Sequence, residues 1–219
     1  ACPSCPPVTH GPRGRAMTGA RMAESWVYAD NATDRAAWDA FVAACPDGGV
    51  LQSSGWAAFK SQAGWPALRF AAGDRGRPAA GAQILLRRLP LGAGVLAYCP
   101  RGPIGDWFSG PAAAALWPAI HAELRRRRAI FLKIEPNAEP DADLESALHA
   151  LGFQQTSSHI QPVATLHVDL QPDLAAMAAA QKSKTRYNIG LAARKGVTVS
   201  EGAESDLPDI YPLLQETSR

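Results

Sequence analysis

The stretch "ALRFAAGDRGRPAAGAQILLRRLPLGAGVLAYCPRGP", Ala67 to Pro103, decides the fold. It holds three strand-like runs, "ALRFAAG", "AAGAQILLRRL" and "GVLAYCP", rich in aliphatic and aromatic residues and parted by Gly, Pro and Asp turns. Runs of this length and composition with turn signals between them predict an antiparallel meander. Upstream, Trp38, Phe41, Val42 and Cys45 recur at i, i+3, i+4 and i+7, which predicts an amphipathic helix beginning near Thr33 and stopped by Pro46. A short strand "GVLQ" is expected next. Ser54 would then cap a helix that carries Trp56, Phe59 and Lys60, packs its two aromatic residues inward and ends at Gly64.

Downstream, the loop "RGPIGDWFSG" leads to a helix from Pro111 to Arg128, a buried strand "AIFLKIEP" and a helix from Asp141 to Leu151. Strands are expected near Phe153–Ser157 and Ala164–Leu170. This order lacks regular strand–helix–strand alternation, so a doubly wound sheet is excluded and the class is α+β. A second set begins near Leu170: a helix from Leu174 to Lys195 with a break at Ser183, a stop at Gly196, a strand "VTVS" and a helix from Ser205 bearing Leu207, Ile210, Tyr211 and Leu214. One strand backed by one helix cannot bury its own apolar face, so residues 169–219 are expected to be the start of an incomplete second domain after a first at 23–168.

The chain has 219 residues, 47% of them hydrophobic, and a net charge of only +2, which suits a globular protein and not one that coats nucleic acid. The longest apolar run, around Pro111 to Ile120, is interrupted by proline and falls well short of the roughly twenty residues of a membrane span. A cytoplasmic protein is the expectation. Residues 1–22 have no apolar periodicity and are expected to be disordered, with Met17 or Met22 as the natural start. Cys2 and Cys5 form a lone C-x-x-C with only His10 nearby, too few ligands for zinc, so no metal is expected. Cys45 and Cys99 sit among apolar neighbours as packed thiols.

Three stretches could carry chemistry. Between Lys182 and Lys195 the sequence "KSKTRYNIGLAARK" has five cations and no acid. Arg194 and Lys195 suit a solvated helix C-terminus. Arg186 and Lys184 instead lie in a first turn beside Tyr187, where free backbone N–H groups attract phosphate, so an anion site and a solvated face both remain open there. The loop "YCPRGPIGDW" presents Arg101 and Asp106 at the exit of a strand, either as a site or as charges on a rigid turn. In "LQSSGWAAFK", Gln52, Gly55 and Ala57 match the Q-x-x-G-x-A loop that cradles coenzyme A in Gcn5-related acetyltransferases, but the loop precedes the meander that it follows in those enzymes. No Ser-His-Asp order, metalloprotease motif, P-loop or dinucleotide glycine pattern is present.

Taken together, "LQSSGWAAFK", "AYCPRGPIGD", "FLKIEPN", "LGFQQTSSHIQPVATLHVDL", "KSKTRYNIGLAARKGVTV" and "DLPDIYPLLQETSR" resemble the Fem family of peptidoglycan bridge-forming aminoacyltransferases. That resemblance spans Trp26 to Arg219. It implies two domains of the Gcn5-related acetyltransferase type and transfer of an amino acid from aminoacyl-tRNA to the stem-peptide amine of a UDP- or lipid-linked muropeptide precursor. It implies no cofactor besides aminoacyl-tRNA as co-substrate, a monomer, and room for peripheral association with a membrane. By resemblance Lys60 and Arg186 hold the precursor diphosphate, Arg101 and Tyr187 contribute to substrate binding, and Asp106 lies at the reacting groups. Relatives run on past "ETSR", so this chain is expected to be truncated. The alternatives are an acyl-CoA-dependent N-acetyltransferase and a non-catalytic precursor-binding fragment.

Overall fold

A computed structural model describes residues 23–74, 76–139, 141–166 and 168–218. The expected disorder and translation start, together with Cys2, Cys5 and His10, lie outside these residues. Two compact units are present, one ending at Val163 and the other beginning at Ala164.

The first unit opens with β1 (Glu24–Tyr28) and α1 (Ala32–Ala44), followed by α2 (Ser54–Gln62), β2 (Ala67–Asp74), β3 (Arg77–Arg88), β4 (Val95–Pro100) and the short β5 (Ile104–Gly105). It closes with α3 (Gly110–Arg126), β6 (Ala129–Glu135) and α4 (Ala142–Ala150). The sheet runs β1-β2-β3-β4-β6, with β5 on β3. Strands β2, β3 and β4 form the expected antiparallel meander, and β6 joins β4 in parallel after the α3 crossover. This unit is a mixed sheet flanked by helices.

The central strand explains why the sequence reads as an unbroken apolar run, for both of its faces are covered. Ala80, Ala82, Ile84 and Leu86 point into the larger core with Phe70, Trp107, Leu116, Trp117 and Ile120. Gly81 faces the other way, where a β-carbon would fall 2.7 Å from Phe41 and 2.9 Å from Trp38. Glycine is therefore required for α1 to lie on the sheet. Trp38 is fully buried and its indole N–H donates to Gln52 O at 2.6 Å.

Local expectations fail where side chains capture the backbone. Val50–Gln52 is a 3-10 turn, not a strand, because Gln52 is drawn into the core and no strand lies beside it. Ser53 caps α2 by accepting from Trp56 N, while Ser54 is buried and bonds Asp39 of α1 through both its N–H and its hydroxyl. Phe59 is 59% exposed and does not pack inward. β1, which carries no period-2 signal strong enough to announce it, pairs antiparallel with β2. Residues 153–157 form no strand, because the residues that follow them are held by side chains from β4 and β6. Cys45 and Cys99 are free thiols, as expected. Burial pushes Cys99 up to about 12, and burial followed by the charges of Asp47 and Asp106 does the same to Cys45.

The second unit contains α5 (Leu174–Ala180), α6 (Ser183–Arg194) and α7 (Leu207–Thr217), and no strand among its described residues. The helix expected over Leu174–Lys195 is thus two, parted at Gln181 and Lys182 just before the anticipated break. Among the described residues neither the stretch expected at Ala164–Leu170 nor "VTVS" is paired in a ladder, for a strand needs a neighbour to satisfy its N–H and C=O groups and none is present among them. Ile210, Tyr211, Leu213 and Leu214 of α7 are all exposed.

Candidate functional site

The loop after β4 is held from both ends. Gln52 is fully buried; its amide nitrogen donates to Pro100 O at 2.7 Å and its amide oxygen accepts from Gln83 N at 2.7 Å. Gly102 lies so close that a β-carbon there would come within 2.6 Å of the same amide. Further along, Gly105 has φ +76°, with space for no side chain against Ala79 O, and Asp106 N donates to that oxygen at 2.8 Å. Trp107 is buried, and Trp117 donates to its carbonyl at 2.8 Å. A rigid loop thus presents Arg101 and Asp106.

Asp106 is exposed and has a carboxylate neighbour that the sequence did not announce. Both oxygens of Asp47 accept from Gly105 N at 3.1 Å. Burial raises the Asp47 carboxyl above its ordinary value, and the charge of Asp106 adds to the rise. Half-buried Asp47 fixes the turn, and exposed Asp106 is left to meet solvent or a ligand.

Arg101 belongs to a cleft of about 650 Å³ lined also by Lys133, Glu135, His149, Gln154 and Gln161. Glu135 organises it. Its carboxylate accepts from Tyr98 OH at 2.5 Å, from Ile160 N at 2.7 Å and from Gln161 N at 3.1 Å, and Lys133 Nζ lies 3.6 Å away. Gln161 Nε2 donates to Tyr98 OH at 3.1 Å, Lys133 donates to Ser158 O, and Arg101 donates to Pro162 O at 2.6 Å. Burial pushes Glu135 upward, but the three donated bonds and the Lys133 charge outweigh it and hold the carboxyl below its usual range. Burial, then the bond to Glu135, pushes the Tyr98 phenol well above its own. "YCPRGP", "IEP" and "IQP", far apart in sequence, meet in this one network.

Lys60 lies elsewhere, on α2, with its ammonium 5.8 Å from the Trp56 ring centre and 5.7 Å from that of Trp65. Neither Lys60 nor Asp106 lines the cleft. Arg87 stacks on Trp65 at 5.5 Å and bonds Ala63 O, so two cations share one indole. Trp65, Tyr98, Glu135 and Asp47 are the site residues that sequence reasoning passed over; the "IEP" motif was the available signal for Glu135.

In the second unit, Arg186 donates from Nη1 to Ala179 O and Gln181 O, satisfying carbonyls at the C-terminal end of α5 while the residue stays exposed. Tyr187 is 61% exposed, and the Arg194 guanidinium lies 6.0 Å over its ring. Among the described residues no group of three or more His, Cys, Asp and Glu is placed to hold a metal ion. Gln52, Gly55 and Ala57 do not form an open cradle, since the Gln52 amide is spent inside the core.

The first unit is thus a mixed sheet with helices packed on it and a PRGP loop held at the exit of β4. The model of the FemAB family matches residues 33–219, and the chain belongs to that family. It is 32% identical over 196 residues to the lipid II:glycine glycyltransferase of Staphylococcus saprophyticus subsp. saprophyticus, covering 85% of this chain and 47% of the relative. It is 29% identical over 188 residues to the protein of that name from Staphylococcus aureus strain bovine RF122, covering 82% and 45%. Among solved structures it matches that of FemX with a TM-score of 0.71 and 29% identity, covering 84% of this chain and 48% of the other. The chain spans about half the length of the relatives it matches.

Proposed function

We propose that this chain contributes to building the interpeptide bridge of peptidoglycan, moving an amino acid, glycine by analogy with its relatives, from aminoacyl-tRNA to the stem-peptide amine of a lipid-linked precursor. The observation that carries this is the rigid loop that holds Asp106 exposed beside a half-buried Asp47, in a chain matched by the FemAB model over 33–219. The acceptor amine, with an ordinary pKa of about 10.4, must lose a proton to attack the tRNA ester. Asp106 takes that proton, a role typically worth about 10²–10⁴-fold. The nitrogen forms the new amide bond and the tRNA hydroxyl leaves, with no covalent enzyme intermediate. Lys60, framed by Trp56 and Trp65 in the first unit, binds the precursor diphosphate away from the reacting amine and so restricts its position, and the exposed Arg186 of the second unit, considered by itself, is a phosphate contact.

The acyl-CoA alternative is weakened by the burial of Gln52. Calorimetry with a UDP-linked muropeptide and with acetyl-CoA separates the two: saturable binding of acetyl-CoA and none of muropeptide overturns the proposal. Lys60→Ala and Arg186→Ala should each weaken muropeptide binding roughly tenfold, as expected for loss of one charge-assisted contact. Arg194→Ala, at a helix end stacked on Tyr187, should not. Equal small effects from all three would mean diffuse attraction without a site.

A further inference from the structure

One end of the sheet in the first unit combines exposed aliphatic groups with cations that have no ion-pair partner among the described residues. The turn joining β3 to β4 carries Leu91 at its tip, fully exposed and with φ 56°. A β-carbon disfavours that left-handed conformation, in which Gly or Asn would be at ease, so nothing inside the unit explains a leucine there. At the base of the turn Arg88 is paired in register with Val95, and Arg87 precedes it against Trp65. Alongside, Arg128 O accepts from Val95 N at 3.1 Å, and Ile130, 57% exposed, lies against Gly94. Arg126 and Arg127 both pair with Glu123, whose carboxyl is held down to about 2 by Arg126 and then by Arg127. Among the described residues Arg87, Arg88 and Arg128 form no salt bridge.

We propose that this end of the sheet is a docking surface for an anionic phospholipid bilayer, with Leu91 and Ile130 entering the headgroup layer and Arg87, Arg88 and Arg128 at its phosphates. The chemistry matches such a surface in both respects: apolar side chains gain by leaving water at the interface, and arginines extend their heads to anionic groups. A nucleic acid would use the arginines but has no partner for an aliphatic turn tip, since bases stack on aromatic faces. Lys60 adjoins the surface through Trp65, which both Lys60 and Arg87 contact. In this respect the inference rests on the proposed function: a precursor whose diphosphate lies at a bilayer surface would meet Lys60 from a protein docked this way.

The test is co-sedimentation of the chain with vesicles of phosphatidylcholine alone and of phosphatidylcholine with phosphatidylglycerol, both free of precursor. Binding should require phosphatidylglycerol and weaken as salt is raised. Each arginine removed should weaken it about fivefold, so Arg88→Ala with Arg128→Ala should cost about twenty-five-fold. Leu91→Asn keeps a residue suited to the positive φ, so the turn still folds, and should weaken binding several-fold with an unchanged far-ultraviolet circular dichroism spectrum. Equal binding to both vesicle types, or no effect of these variants, overturns the proposal. So does the absence of vesicle binding by a chain whose affinity for uncharged tRNA falls with the same arginines, which would make this a nucleic-acid face. Because the vesicles hold no precursor, failure here leaves the transferase proposal standing, and muropeptide calorimetry tests that separately.

Discussion

Replacing Gln52 by Leu should loosen the first unit and the loop that carries Asp106 together. The side chain is fully buried and makes two short bonds to main chain, one to Pro100 O and one from Gln83 N, both at 2.7 Å. Leucine fills much of the same volume but leaves a buried carbonyl and a buried amide without partners. At about 1–3 kcal/mol for each stranded group, the loss is about 4 kcal/mol. For a unit of this size each kcal/mol moves the melting temperature by about 2–4 °C, so Tm should fall by about 10 °C. Thermal unfolding followed by near-ultraviolet circular dichroism measures the shift, and hydrogen exchange should accelerate at the Gly105 and Asp106 amides, which depend on the loop geometry. A shift under about 3 °C would refute the account, because such unpaired groups cannot be that inexpensive in a dry core. It would also reopen Gln52 as a ligand-facing residue and with it the coenzyme A alternative.

Asp106→Asn should lower aminoacyl transfer by about 10²-fold or more while muropeptide affinity stays within about twofold, since the loss falls on proton removal and not on binding. Unchanged turnover leaves Asp106 only a turn-forming role. Acid should release the 158–162 segment: Glu135 titrates below its usual value in the folded protein, so its stabilising bonds are complete above the ordinary carboxyl range and are lost as pH falls through the lowered one. Protection factors of the Ile160 and Gln161 amides should drop in acid, and Glu135→Gln should remove that pH dependence. Gly81→Ala should destabilise by about 1–3 kcal/mol through overpacking against Phe41 and Trp38, read from urea unfolding; a neutral result would mean that α1 is not seated on the sheet as described.

Much of the architecture follows from nearest-neighbour chemistry and was open to inspection in the sequence. The meander over Ala67–Pro100 and the helix around Trp38 and Phe41 each have a period or a punctuation mark within a few residues, and each formed, as did the helix expected from Asp141, where the structure shows Asp141 as its cap. The exposed loop bearing Arg101 and Asp106 was legible for the same reason, because its prolines and glycines are local. What the sequence could not determine is which distant groups take the backbone's hydrogen bonds. A strand is expected near Phe153–Ser157, yet none forms there, and the side chains of Lys133, Glu135 and Arg101 hold the adjoining Ser158, Ile160, Gln161 and Pro162 in place of a ladder. Gln52 matched a ligand-binding pattern locally and was turned inward by Pro100 and Gln83, residues remote in sequence. Asp47 became a partner of the Asp106 loop only when α1 packed on the sheet. Period and capping are properties of a short segment, whereas burial and the pairing of polar groups belong to contacts between segments, and those exist only once the chain has folded.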